Sequence, residues 1–229
     1  MATSRADADL QAYGVQVAIL AKAPVPGLAK TRLIPALGAQ GAARAQRAMT
    51  SQALRTALAA GVGPVTLWCT PDARHRFFRA LQRTTGVHCL VQASSDLGAR
   101  MHTAFRLHCV QGPLLLVGTD CPAMQPSHLR RAAEALLEGA DAVLQPAEDG
   151  GYVLIGLRQP QPGLFQDMPW STDRVLAETR SRARQAGLVV YELDTLWDVD
   201  RPEDLRRWCS LLARDPVSAH WASSHDASR

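Results

Sequence analysis

Short apolar runs alternate with longer amphipathic stretches through most of this chain. Residues 15–21 (VQVAILA) form an apolar run with the length of a buried strand. Residues 40–60 place apolar side chains at helical spacing and stop at Gly61. Residues 65–69 read as a second strand, and 72–84 as a helix with Asp72 positioned to cap it. A third strand is predicted over 87–92, a helix over 97–110, and a fully buried strand over 114–117, bounded by Gly-Pro and Gly. Ser127 is placed to cap a helix running to Glu138. Residues 143–145 and 152–157 read as strands around an acidic Gly-Gly turn. They are followed by a helix over 171–186, a strand over 188–193 and a last helix over 202–213 with proline in its first turn.

This alternation predicts one α/β domain over residues 14–214: three layers, with helices on both faces of a mostly parallel sheet. Two strands in succession near Asp149 predict an antiparallel excursion, which makes the sheet mixed. Segments 1–13 and 215–229 are expected to be mobile termini. In such a domain, ligands gather beyond the carboxyl ends of the strands.

Composition narrows the function. Hydrophobic residues make up 47% of the 229 and aromatics only 5%, so the core is aliphatic. The net charge of +4 is spread over helical segments rather than clustered, which argues against nucleic acid as a partner. No apolar run approaches the length of a membrane span. Five widely spaced cysteines offer no disulfide framework, and no signal peptide is visible, so a cytoplasmic protein is expected. The most informative bias is in the cations: 23 are arginine, while the only two lysines, Lys22 and Lys30, fall in one short loop after the first strand. Lysine is a compact point charge and arginine a rigid fork, so a background written in arginine marks that loop as chemically special.

Four segments could carry chemistry. The first runs from Ala21 to Leu33, where Pro24 and Pro26 stiffen the path, Gly27 permits a turn, and Lys30 and Arg32 add two cations. It is neither a Walker loop nor a dinucleotide fingerprint, yet a stiff basic turn suits phosphate oxygens. The second places Asp120 at the tip of the buried strand 114–117, where it could serve a ligand or simply satisfy backbone amides. In the third, Asp198-Val199-Asp200, extended backbone would point both carboxylates to one side. Helix capping would explain Asp200 and leave Asp198 unexplained. The fourth, Asp149-Gly150-Gly151, is either a plain hairpin or a place where a ligand approaches bare backbone. Ser94, Ser95 and Ser171 lack a histidine partner for a nucleophilic triad, and Trp170 is expected to border a pocket.

Taken in order, Lys22-Ala23-Pro24, Lys30-Thr31-Arg32-Leu33, Asp96-Leu97-Gly98-Ala99-Arg100-Met101, Gly118-Thr119-Asp120-Cys121-Pro122, Asp149-Gly150-Gly151-Tyr152, Trp170-Ser171-Thr172 and Asp198-Val199-Asp200 resemble the bacterial DUF2064 family. That family is described as glycosyltransferases of arsenosugar synthesis or companions of radical enzymes. More distantly, the chain looks like the guanylyltransferases of molybdenum-cofactor and deazaflavin-cofactor synthesis. The resemblance implies the GT-A-type nucleotide-diphospho-sugar transferase fold, with Lys22, Gly27, Lys30 and Arg32 at nucleotide phosphates. It implies Asp120, Asp198 and Asp200 as ligands of Mg²⁺ or Mn²⁺, with Asp120, Lys30 and Arg32 in the catalytic role. Asp149, Gly150 and Gly151 would face sugar or acceptor. Where this fold usually shows Asp-x-Asp, Asp120 is followed by Cys121-Pro122, so a metal site requires Asp198 and Asp200. Gln145 stands where a small residue is expected and should alter the pocket.

Three functions are open at this point. The first is metal-dependent glycosyl transfer from a nucleoside-diphosphate-sugar to a small-molecule acceptor. The second is nucleotidylyl transfer from an NTP to a phosphorylated small molecule with release of pyrophosphate. The third is nucleotide binding without turnover, as the partner of another enzyme.

Overall fold

The computed structural model describes residues 14–93 and 96–213. The segments expected to be mobile, and Ser94 and Ser95, lie outside the described residues. Seven strands make one sheet: β1 Gln16–Lys22, β2 Val65–Thr70, β3 His88–Val91, β4 Leu114–Val117, β5 Ala142–Pro146, β6 Tyr152–Leu157 and β7 Val190–Glu192. Their order is β3-β2-β1-β4-β6-β5-β7. Every pairing is parallel except those of β6, which runs antiparallel to both β4 and β5. The excursion expected near Asp149 is this β5–β6 hairpin.

The described helices are α1 Ile34–Ala60, α2 Arg76–Thr85, α3 Leu97–His108, α4 Pro126–Leu137, α5 Val175–Gln185 and α6 Asp204–Leu212. Alternate residues of a strand face opposite sides, and β1 divides its side chains accordingly. Val17, Ile19 and Ala21 join Leu54 of α1, Phe78 of α2 and Leu129 of α4. Ala18 joins Met101 and Phe105 of α3 and Leu176 of α5. The result is the three-layer mixed α/β architecture predicted above. A third cluster, with Leu33, Met49, Trp197, Val199 and Trp208, ties α6 and the segment before it to the start of α1. No described helix is long and apolar enough to cross a membrane.

Helix starts depart from the sequence reading for identifiable reasons. α1 begins at Ile34 and absorbs a non-helical Gly38 (φ 66°), which hides its first turn from a periodicity test. Asp72 accepts from the Arg74 N–H in a local turn (2.6 Å), while His75 Nδ1 receives the Phe77 N–H at the true start of α2. Gln125, not Ser127, caps α4, and its own N–H donates to His128 Nδ1 at 3.0 Å. α5 starts at Val175, with Arg174 as its N-cap, and Ser171, held left-handed at φ 64°, lies outside it. At α6, Asp204 accepts the N–H groups of Asp200 and Arg201 at 2.9 and 2.7 Å, so the Asp200 carboxylate is not needed as a cap.

Candidate active site

Chain connections diverge on either side of β1, toward β2 on one side and β4 on the other, and a crevice opens at such a switch point. Here it is a cavity of about 580 Å³, reached by Lys22, Lys30, Arg32, Gln92, Arg100, Asp120, Asp198 and Asp200 among others.

The loop after β1 is shaped by its own backbone. Ala23 N–H donates to Thr70 O at 2.8 Å, and both Leu28 and Ala29 N–H donate to Val25 O at 3.0 Å. Gly27 supplies the positive φ of 81° that this turn requires. Lys30 adopts a left-handed conformation (φ 47°, ψ 48°), which costs a non-glycine residue about 1–2 kcal/mol. The strained turn carries its side chain inward. Nζ lies 2.9 Å from Asp120 Oδ2 and donates to Val199 O at 2.5 Å, with the side chain only 5% exposed. Two residues on, the more exposed Arg32 pairs with Asp200. Lys22, at the end of β1, is exposed and forms no ion pair with any described residue.

Asp120 is oriented from below. Thr119 Oγ1 donates to Asp120 Oδ1 at 2.9 Å, and Gln46 Nε2 on α1 donates to Thr119 Oγ1 at 3.1 Å. Asp120 O accepts the Val199 N–H at 2.8 Å, which stitches the Asp198–Asp200 segment to the end of β4. Asp198 lacks a cation of its own among the described residues. Burial, then the carboxylates of Asp149, Asp120 and Asp200, push its pKa up to about 6, and Lys30 opposes them. Cys121 also lines the cavity, but burial first and the nearby Asp198 and Asp120 carboxylates push its thiol up to about 12. It is no nucleophile near neutral pH.

The structure therefore brings Lys22, Lys30, Arg32, Asp120, Asp198 and Asp200 to one cavity, although they are distant in sequence. The Asp149 turn borders it differently. Asp149 is near enough to Asp198 to raise its pKa, yet Asp149 Oδ1 accepts the Gly151 N–H at 2.9 Å, and the cavity wall begins at Tyr152. Gly150 is required by chain packing: a Cβ there would lie 2.2 Å from Asp173 O, and φ is 86°. Gln145 does not shape the cavity. It is fully buried, and its Nε2 donates to Asp194 O, fixing the path toward Asp198. Trp170 borders a separate hollow with Asp96, Gly98, His102 and Phe165, across the first turn of α3 from the main cavity. Gln46, Thr119, Gln92 and Arg100 were not singled out as site residues from the sequence. Thr119 and Arg100 sit inside the Gly118–Pro122 and Asp96–Met101 motifs; the glutamines give no signal beyond being polar at positions that the fold buries.

Among the described residues, no three of His, Cys, Asp and Glu are already arranged to hold a metal ion. Asp120 and Asp200 face Lys30 and Arg32 instead. The donor chemistry nonetheless fits a hard divalent cation: it is all oxygen, and Asp198 sits among carboxylates that outnumber the cation beside it.

The whole fold is shared with a crystal structure from Desulfovibrio desulfuricans G20 described as a candidate nucleotide-diphospho-sugar transferase. Identity is 26%, the TM-score is 0.82, and 91% of this chain and 93% of that one are covered. The fold alone is shared with 4-diphosphocytidyl-2C-methyl-D-erythritol synthase from Anaerococcus prevotii DSM 20548 (13% identity, TM-score 0.58, 92% and 100% covered). The same holds for glucosyl-3-phosphoglycerate synthase from Mycobacterium tuberculosis, solved with Mn²⁺, UDP and glucosyl-3-phosphoglycerate (10% identity, TM-score 0.54, 93% and 85% covered). No curated protein matches the chain. Residues 53–172, over half of the sequence, match the family described as "Uncharacterized protein conserved in bacteria (DUF2064)", and the chain belongs to that family.

Proposed function

We propose that this protein is a metal-dependent transferase that takes a sugar from a nucleoside-diphosphate donor and passes it to a small-molecule acceptor. The observation that carries the reading is the meeting of Lys30 and Arg32 with Asp120, Asp198 and Asp200 at one cavity on the carboxyl edge of the sheet. Lys22, with no ion pair among the described residues, and the paired Lys30 and Arg32 supply charge and hydrogen bonds to phosphate oxygens, the lysines as point charges and the arginine as a fork. Asp120, Asp198 and Asp200 would hold Mg²⁺ or Mn²⁺, which when bound neutralises charge on the departing diphosphate. The chain through Gln46 and Thr119 orients the Asp120 carboxylate before any ligand arrives, so the exchange of Lys30 for metal is the one change required of it.

A second reading, nucleotidylyl transfer from an NTP, is favoured by the number of cations in a single loop, since a triphosphate needs more neutralisation than a diphosphate. Thermal-shift and calorimetric titrations with NDP-sugars and NTPs, with and without Mg²⁺, separate the two. Metal-dependent stabilisation by an NDP-sugar, with release of NDP, is the expected result. Response to NTPs only, with pyrophosphate release, transfers the assignment to the second reading. Binding without turnover on any acceptor leaves a nucleotide-binding partner protein, and no response to any nucleotide removes all three.

A further inference from the structure

One polar side chain in the cavity has no part in holding the acidic and basic groups. Gln92 follows β3 and is more than nine-tenths buried, with a relative exposure of 8%. Its Nε2 donates to Trp68 O at 2.8 Å and to Ala21 O at 3.3 Å, the carbonyls of the neighbouring strands β2 and β1. Carbonyl oxygens only accept, so these contacts fix which end of the amide is nitrogen and use both of its hydrogens. Oε1 accepts from none of the described residues, and Gln92 lines the cavity. The side chain is therefore a rigid, preoriented acceptor that cannot turn round to donate.

Its location completes the argument. Gln92 leaves β3, but its amide reaches over the ends of β2 and β1, so it faces the cavity from one side of the β1 end while Asp120 faces it from the β4 side. Between them the cavity, about 580 Å³, has room for a nucleotide lying across the strand ends. Leu20 and the 41%-exposed Leu97 line the cavity together with Gln92, and apolar surface of this kind suits the faces of a planar ring. Thr70 offers a hydroxyl nearby.

Resting on the nucleotide-donor reading, we propose that Gln92 is a specificity-determining residue: its carbonyl oxygen accepts an N–H from the edge of the donor's base. An acceptor that a bound ligand covers without pairing is costly, so a ligand unable to offer that N–H is rejected more strongly than loss of one exposed contact would imply.

The test is calorimetry on the full chain with Mg²⁺, using ADP, CDP, GDP, UDP and inorganic pyrophosphate. The parent protein is expected to bind at least one diphosphate nucleotide more tightly than pyrophosphate. Gln92→Met keeps the length and removes the acceptor; it should weaken that nucleotide by about tenfold or more and change pyrophosphate by less than about twofold. Because the variant could lose the two strand-end hydrogen bonds and fail to fold, a second measurement uses the parent alone. Methylation of the base N–H of the preferred nucleotide should cost a similar factor. Equal losses for nucleotide and pyrophosphate, or indifference to methylation, overturn the assignment of Gln92 while leaving the donor reading intact. Absence of binding by any nucleotide and by pyrophosphate removes both.

Discussion

Lys30 and Arg32 stand two residues apart and pair with carboxylates in the same way, yet their environments differ. The Lys30 side chain is 5% exposed and reaches two acceptors, whereas that of Arg32 is 58% exposed. A planar guanidinium cannot reproduce the two contacts of a nearly buried point charge, so Lys30→Arg should weaken Mg²⁺-nucleotide binding by about tenfold in calorimetry, and Arg32→Lys by only about two- to threefold. Asp198 makes an opposite prediction for stability. Its ionised form is disfavoured by burial and by like charges, so Asp198→Asn should fold as well as the parent or melt at a higher temperature at pH 8. The same variant should lose its Mg²⁺-dependent turnover. A melting point several degrees lower would show that Asp198 supports the fold rather than the reaction.

At the scale of elements, α3 is the piece that links two faces of the site. A Cβ on Gly98 would approach Phe165 O to 2.5 Å and Trp170 Nε1 to 3.0 Å, so the first turn of α3 packs directly on the segment around residue 165. Gly98→Ala should cost about 1–3 kcal/mol in denaturant unfolding and also weaken nucleotide binding, because Leu97 and Arg100 on the same turn line the cavity. The other end of α3 is pinned by His108, whose Nε2 accepts from Trp68 Nε1 (3.2 Å) while Nδ1 meets Gln16 Oε1 (2.8 Å). Burial, then the nearby His88, holds its pKa below the ordinary value of 6.5. The unfolded chain therefore binds a proton more readily. The contribution of neutral His108 is complete above about pH 6.5 and is lost as the pH falls from there toward the folded value. The melting-temperature difference between the parent and His108→Gln should accordingly shrink between pH 8 and pH 5.5.

The strands were legible in the sequence because short aliphatic runs bounded by glycine and proline leave little else to form. Helix starts were not, because His75 and Gln125 act as caps only through geometry that no spacing rule contains. The same distinction divides the site. Lys30, Asp120 and Asp198 could be found because they follow strands or interrupt an expected pattern. Gln46 and Gln92 needed the tertiary structure, since a glutamine in an amphipathic helix or at a strand end looks like any surface residue until its surroundings close over it.

For the molecule as a whole, the resting site is partly self-paired: two groups suited to phosphate, Lys30 and Arg32, are occupied by two suited to metal, Asp120 and Asp200. On the proposed reading, each ligand releases the partner needed by the other, so Mg²⁺ and nucleotide should bind with positive coupling, by a factor of about 10 and equal in both directions. Calorimetry in either order measures it, after correction for metal–nucleotide association in solution. The factor should fall in Arg32→Gln, where Asp200 has no cation to exchange.

The tie between Lys30 and Val199 joins residues 169 positions apart. During synthesis the cationic loop leaves the ribosome long before the acidic segment that balances it. The Arg32–Asp200 pair and the Lys30–Val199 bond can form only after β7 has been made and the following turn has docked, so a nascent chain cannot acquire its ligand-ready charge pattern early.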